Sequence, residues 1–205
     1  VVQTVVTFVF IGVSVATDSR RVADPWEVAA SGLLLAIATW TTTPVCLALI
    51  VVFAKIRRGW SVREYLALNR APLGTFALWL SLTFGFVFVC EAVSYLLGRP
   101  MIQEYTRAMY ETAYWPPLLW SALVVAAPLL EETLFRGFMY RGIESSRLGV
   151  AGACIITGFV WTALHVQYDL FVLGIVFLGG LLFGIARWKS QSLYVTMAMH
   201  FLWNL

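Results

Sequence analysis

The chain has 205 residues, 60% of them hydrophobic and only 12% charged, with a mean hydropathy of +0.82. Soluble domains average roughly 45–50% apolar and about 25% charged, so a water-soluble globular fold is excluded and the chain belongs in lipid. The net charge of +3 comes without a block of Lys or Arg, which excludes a nucleic-acid binder.

A helix needs about 20 mostly apolar residues to cross roughly 30 Å of hydrocarbon. Seven apolar stretches approach or meet that length, at 1–17, 28–54, 75–97, 117–140, 148–166, 170–187 and 191–205. The first lacks a basic leader and a small-residue cleavage site, and it reads as a spanning segment rather than a signal peptide. The chain opens at Val1 and stops at Leu205 in mid-pattern, so a longer parent with an eighth helix is expected. The fold class is therefore all-α: a polytopic transmembrane bundle of about seven to eight helices, one membrane domain over 1–205.

Between the second and third stretches, Lys55 to Arg70 mixes basic residues with Trp60, Tyr65, Leu66 and Leu68 ahead of Pro72. That pattern suits a short interfacial helix or an anchored loop. Between the third and fourth, Met101 to Tyr114 sets Tyr105, Met109, Tyr110 and Tyr114 at near-helical spacing, which predicts an interfacial helix carrying an aromatic belt. Gly180 and Gly184 in the sixth stretch form a GxxxG, a spacing that lets helix backbones approach closely. Cys46, Cys90 and Cys154 are odd in number, lie in apolar stretches and show no CxxC spacing, so they read as packing residues.

With seven spans, one set of loops holds Lys55, Arg57, Arg58, Arg63, Arg70, Arg136, Arg141, Arg147, Arg187 and Lys189, and the other holds Arg20, Arg21, Arg99 and Arg107, ten against four. Positive charge in short loops stays cytoplasmic. The amino terminus is expected on that side.

Ionisable residues inside a membrane helix cost about 2.5–3.5 kcal/mol on insertion scales and point by default to function. Here they are Glu91 in the third stretch, Glu131, Glu132 and Arg136 in the fourth, His165 closing the fifth, and His200 with the carboxamide of Asn204 in the seventh. Both histidines of the chain are in this set. Adjacent carboxylates point about 100° apart on a helix, so Glu131 and Glu132 serve different tasks. Glu132 and Arg136 are an i,i+4 pair in the favourable order, while Glu131 faces elsewhere and is the better general base.

Trp161 lies one turn before His165 on the same face, and His200 and Asn204 project together from one helix as a further i,i+4 pair. A hydrolase in lipid needs a base for water, a partner for the proton and donors for the charge developing on the scissile oxygen. Glu131, His165, His200 and Asn204 fill those places. The same four can also be read as zinc ligands with a position open to water, and the residues alone leave both readings open. Counted at 1.5 Å per residue from the basic ends of their stretches, Glu131 and His200 come out at roughly 14 Å depth and His165 about 10 Å deeper.

Glu131-Glu132-x-x-x-Arg136, then Trp161-x-x-x-His165, then His200-x-x-x-Asn204 with Ser192-Leu193 ahead of it resemble the motifs of the CAAX protease and bacteriocin-processing (CPBP) intramembrane proteases. The resemblance covers a catalytic core from about 115 to the end. It implies that Glu131 and His165 activate water, that His200 and Asn204 form an oxyanion hole or complete a metal site, and that Glu132 and Arg136 support them. It also implies a substrate that is a membrane-associated, prenylated or precursor peptide. The family's second motif usually opens with phenylalanine, where this chain has Trp161. The chain carries no HExxH, GxSxG or GxGD. Two other functions fit the composition: a non-catalytic membrane scaffold or immunity protein, and a small ion-coupled transporter using Glu91, Glu131 and the histidines as a relay.

Overall fold

In the computed structural model, residues 30–100 and 102–205 are described, and the expected span at 1–17, with Arg20, Arg21 and Met101, lies outside the described residues. Eight helices and no strand are found among the described residues. In chain order they are α1 (Gly32–Ile56), α2 (Val62–Tyr65), α3 (Leu73–Leu96), α4 (Glu104–Glu111), α5 (Pro116–Glu144), α6 (Gly149–Ala163), α7 (Leu170–Ser190) and α8 (Leu193–Trp203). Four of them, α1, α3, α5 and α7, are long and apolar enough to cross a membrane. The fold is a helical membrane bundle.

The chain alternates between two ends. At one, Leu193 N–H donates to the Ala67 carbonyl at 2.9 Å and Asn69 Nδ2 to the Gln191 carbonyl at 3.0 Å, while Arg141 lies over the Trp60 ring at 5.1 Å. Most of the basic residues gather here. At the other end Arg99 pairs with Asp169, Tyr105 packs edge-on against Tyr168, and Thr112 Oγ1 accepts from Gly32 N–H and donates to the Ala30 carbonyl.

α5 sits at the centre, with 56% of its most apolar stretch buried against 11% for α3. It contains two π-helical stretches, Ala122–Ala126 and Thr133–Met139, flanking the regular turn that holds both glutamates. In each, the backbone ladder slips to i→i+5: Ala127 N–H reaches the Ala122 carbonyl and Tyr140 N–H the Phe135 carbonyl. The Leu123 carbonyl then has lost Ala127 as donor, and its i+5 residue is Pro128, which carries no N–H. The carbonyl is satisfied instead by Asn204 Nδ2 of α8 at 2.9 Å. At the second slip, Arg187 Nε of α7 donates to the Arg136 carbonyl at 3.0 Å. Each irregularity of α5 is thus a point where a neighbouring helix is bonded to it, and such bulges collect at functional sites.

Small residues bring α6 and α7 into backbone contact, as the GxxxG predicts. A Cβ added at Gly180 would stand 3.0 Å from Gly158 Cα, and one at Gly184 would stand 3.2 Å from Cys154 Cα. Gly180, Gly184 and Arg187 recur at i, i+4 and i+7, one face of α7.

The structure sharpens one expectation and corrects two. The segment from Lys55 to Arg70 holds only a single helical turn, fixed by a Ser61–Glu64 capping box, and then dives inward so that Leu66 and Ala67 are buried. The aromatic set near α4 divides: Tyr105 and Met109 are buried in the bundle and Tyr114 is exposed, because the helix stops at Glu111. Arg136 and Arg187, counted among loop charges, are fully buried inside the bundle.

The candidate active site

Glu131 and Glu132 lie one after the other in the regular turn of α5 and are both buried. The 100° rotation between them separates their partners. Glu132 Oε1 accepts from Arg136 NH1 at 2.9 Å and from His200 Nδ1 at 3.0 Å. Arg136 is held between two rings, its Cζ 4.6 Å from Trp161 and 5.3 Å from Phe183, and NH2 donates to the Gly180 carbonyl at 3.3 Å. Glu131 Oε2 accepts from the indole N–H of Trp161 at 2.6 Å.

His165 follows the end of α6 in a tight turn and approaches the Trp161 carbonyl through Nδ1 at 2.8 Å. A carbonyl oxygen can only accept, so Nδ1 of His165 carries a hydrogen and Nε2 presents its lone pair. The carboxylate of Glu132, already bonded to Arg136, sets the same tautomer for His200. Trp161 therefore joins four of these residues: it bonds Glu131, carries His165 on its own carbonyl, lies against Arg136, and meets the His200 ring edge-on at 5.3 Å.

Glu131, Trp161, His165, His200 and Asn204 line one cavity of about 210 Å³. The four residues expected to act together are brought together by α5, α6 and α8. Asn204 caps α8 and spends one amide hydrogen on Leu123, leaving at most one N–H for a substrate. Tyr105, Gln167 and Tyr168 also line the cavity and were not among the expected site residues. Their signal is weak, since a tyrosine near a membrane surface reads first as an interfacial anchor. Glu91 does not join the set and lines a separate pocket. Among the described residues no three His, Cys, Asp or Glu side chains are gathered closely enough to hold a metal ion.

The depth discrepancy for His165 largely disappears. α5 runs to Glu144, so Glu131 lies roughly 20 Å from its basic end, against about 24 Å for His165 along α6. α8 begins inside the bundle, with Ser192 and Leu193 fully buried and anchored by Asn69 and Ala67. Its 11 residues lift His200 to the cavity from a sunken start.

These features define a polytopic helical membrane protein with a carboxylate, two imidazoles and a carboxamide around an intramembrane cavity. Residues 113–205 match the model of the family described as type II CAAX prenyl endopeptidase Rce1-like, in agreement with the motif resemblance, and α5, α6 and α8 all fall within that match. Over 80 residues, 38% of this chain, the sequence is 36% identical to an Escherichia coli protein described as an uncharacterized 24.3 kDa protein, and the aligned stretch is 37% of that relative. No solved structure matches.

Proposed function

We propose that the protein is an intramembrane endopeptidase that hydrolyses a peptide bond of a membrane-associated, prenylated or precursor-peptide substrate, with Glu131, His165, His200 and Asn204 as its catalytic residues. The observation that carries this reading is the convergence of those four side chains on one cavity from helices that match an endopeptidase family.

The chemistry follows from which atoms can accept. Water in the cavity donates one hydrogen bond to His165 Nε2 and gives its proton to Glu131, whose carboxylate the Trp161 N–H holds in place. The resulting hydroxide attacks the scissile carbonyl carbon. The negative charge that develops on the carbonyl oxygen is met by the remaining amide N–H of Asn204, with His200 beside it as a second donor wherever both of its ring nitrogens carry hydrogen. The C–N bond then breaks, and Glu131 returns its proton to the leaving amine. A positioned general base contributes about 10²–10⁴-fold in rate. The basic end of the bundle faces the cytoplasm in this reading.

The test is cleavage of a quenched-fluorescence lipopeptide library by the purified protein in lipid, comparing wild type with Glu131→Gln and His165→Ala. Wild-type turnover that falls at least about 100-fold in Glu131→Gln, with the thermal transition retained, is the expected result. Loss of turnover on chelation with rescue by zinc would replace the water-activation scheme with a metal site. A wild type that cleaves nothing, with Glu131→Gln still complementing in cells, would leave a scaffold.

A further inference from the structure

A second pocket of about 200 Å³ lies between α3 and α7. Tyr168, Val176 and Trp203 line both it and the catalytic cavity, so the two spaces adjoin at those three side chains. Its lining is mixed: Val87, Val172 and Ile175 supply apolar wall, Ser94 and Gln103 supply polar groups, and among the described residues Glu91 is the one charged residue lining it.

Glu91 is the one charged residue of its membrane helix, is exposed at the pocket, and has no ion pair or side-chain hydrogen bond among the described residues. The nearest cation along the chain, Arg99, is already taken: it pairs with Asp169 and lies over the Phe171 ring at 4.5 Å. A lone acid in such a helix is costly and calls for a partner. The pocket offers a carboxylate beside apolar walls, which is the complement of a lysine or arginine side chain, a charged head on a methylene stem that packs on apolar surface.

We infer that the Glu91 pocket is a substrate subsite that takes a lysine or arginine side chain of the peptide whose bond lies at Glu131. The inference rests on the endopeptidase reading and adds a substrate preference to it. Glu91 acts there on affinity, and it takes no part in proton transfer.

The experiment uses the full chain in phosphatidylcholine bicelles, which contain no primary amine. The probes are fluorescent N-acylated peptides in which a single Lys, Gln or Glu is walked through each position, and both binding anisotropy and cleavage are measured. At one position Lys is expected to bind about tenfold more tightly than Gln, the lower end of close charge-pair coupling. In Glu91→Gln that ratio falls close to one, and in Glu91→Lys the peptide bearing Glu becomes the tighter binder, a gain that a misfolded variant cannot show. Absence of binding, absence of a Lys preference in wild type, or a preference that survives in Glu91→Gln overturns the subsite. A Lys preference in binding without turnover sinks the endopeptidase reading and leaves the subsite standing, whereas turnover without preference sinks the subsite alone.

Discussion

Residues 30–112 and residues 113–205 are equally apolar to the eye, yet they bury different things. In the first half the buried polar side chains are Thr39, Thr43 and Thr83, while the second half buries Glu131, Glu132, Arg136, Arg187 and His200 as well as its hydroxyls. A threonine needs little: Thr83 Oγ1 donates to the Trp79 carbonyl of its own helix at 2.8 Å. A buried charge needs a partner from elsewhere, so α5, α7 and α8 are committed to one another by the groups they share. The first half packs on that centre through apolar side chains such as Leu35, Leu66 and Trp79, and the second half holds a fixed geometry at the cost of desolvating ions.

The largest test of the contrast is to split the Glu132–Arg136 pair. Arg136→Leu leaves Glu132 buried with only His200 against it, and the expected loss is about 3–5 kcal/mol, read from denaturant or thermal unfolding in detergent. Glu132→Leu combined with Arg136→Met should lose much less, since exchanging both members of a buried pair for apolar groups is often close to neutral. Equal losses in the single and double variants would show that the pair contributes by its shape and packing rather than by charge.

Trp161→Phe is the sharper probe of the same centre. An aromatic ring stays to pack on Arg136, while the five-membered ring and its N–H to Glu131 are removed, so the thermal transition is measured beside turnover. A hydrogen bond to a charged group contributes about 1.5–3 kcal/mol, so turnover should fall about 10–100-fold with KM little changed. An unaltered rate would mean that Glu131 is held by its other contacts.

These features differ in how far the sequence reveals them. The four site residues are legible because an acid, an imidazole or a carboxamide has no ordinary place in an apolar run. The helices are legible for the converse reason, and among the described residues the boundaries of the remaining six stretches fall within a few residues of expectation. The ends are less so. α8 starts below the surface because Ala67 and Asn69 accept from Leu193 and Ser192, a contact spanning more than 120 positions that no local pattern announces. Arg187 reads as a loop charge because basic residues usually close a helix, whereas here it lies over the Tyr140 ring at 5.4 Å and bonds a carbonyl displaced by a π-turn. Its place on the Gly180–Gly184 face is the one local clue that it turns inward.

Glycine substitutions carry the comparison to smaller effects. Gly180→Ala would press a methyl against Gly158 Cα at 3.0 Å and the Trp161 ring at 3.3 Å, and Gly179→Ala would overlap the Trp203 ring. Each should destabilise by about 1–3 kcal/mol. Gly85 on α3 has nothing within 4 Å of an added Cβ, so Gly85→Ala should be neutral or gain up to about 1 kcal/mol of helix propensity. Unfolding midpoints of the three variants in one detergent decide the matter, and a costly Gly85→Ala would reveal a partner for α3.

The smallest effect is expected where the two halves meet at the surface, at Arg99 and Asp169. Asp169 caps α7, accepting from Phe171 and Val172 N–H at 2.9 and 3.0 Å. The Val172 N–H and the Arg99 guanidinium hold its carboxyl below the usual range. A carboxylate depressed in this way stabilises the fold fully above the ordinary aspartate value of 3.8, and that contribution fades as pH falls through the lower folded value. Asp169→Asn keeps a good cap but drops the charge, so its midpoint should lie on the order of 1 °C below wild type at neutral pH. The gap should close as both proteins are acidified below about pH 4. A gap that stays constant across that range would assign the effect to the shape of the cap, and Arg99 would then hold the two halves together through its contact with the Phe171 ring alone.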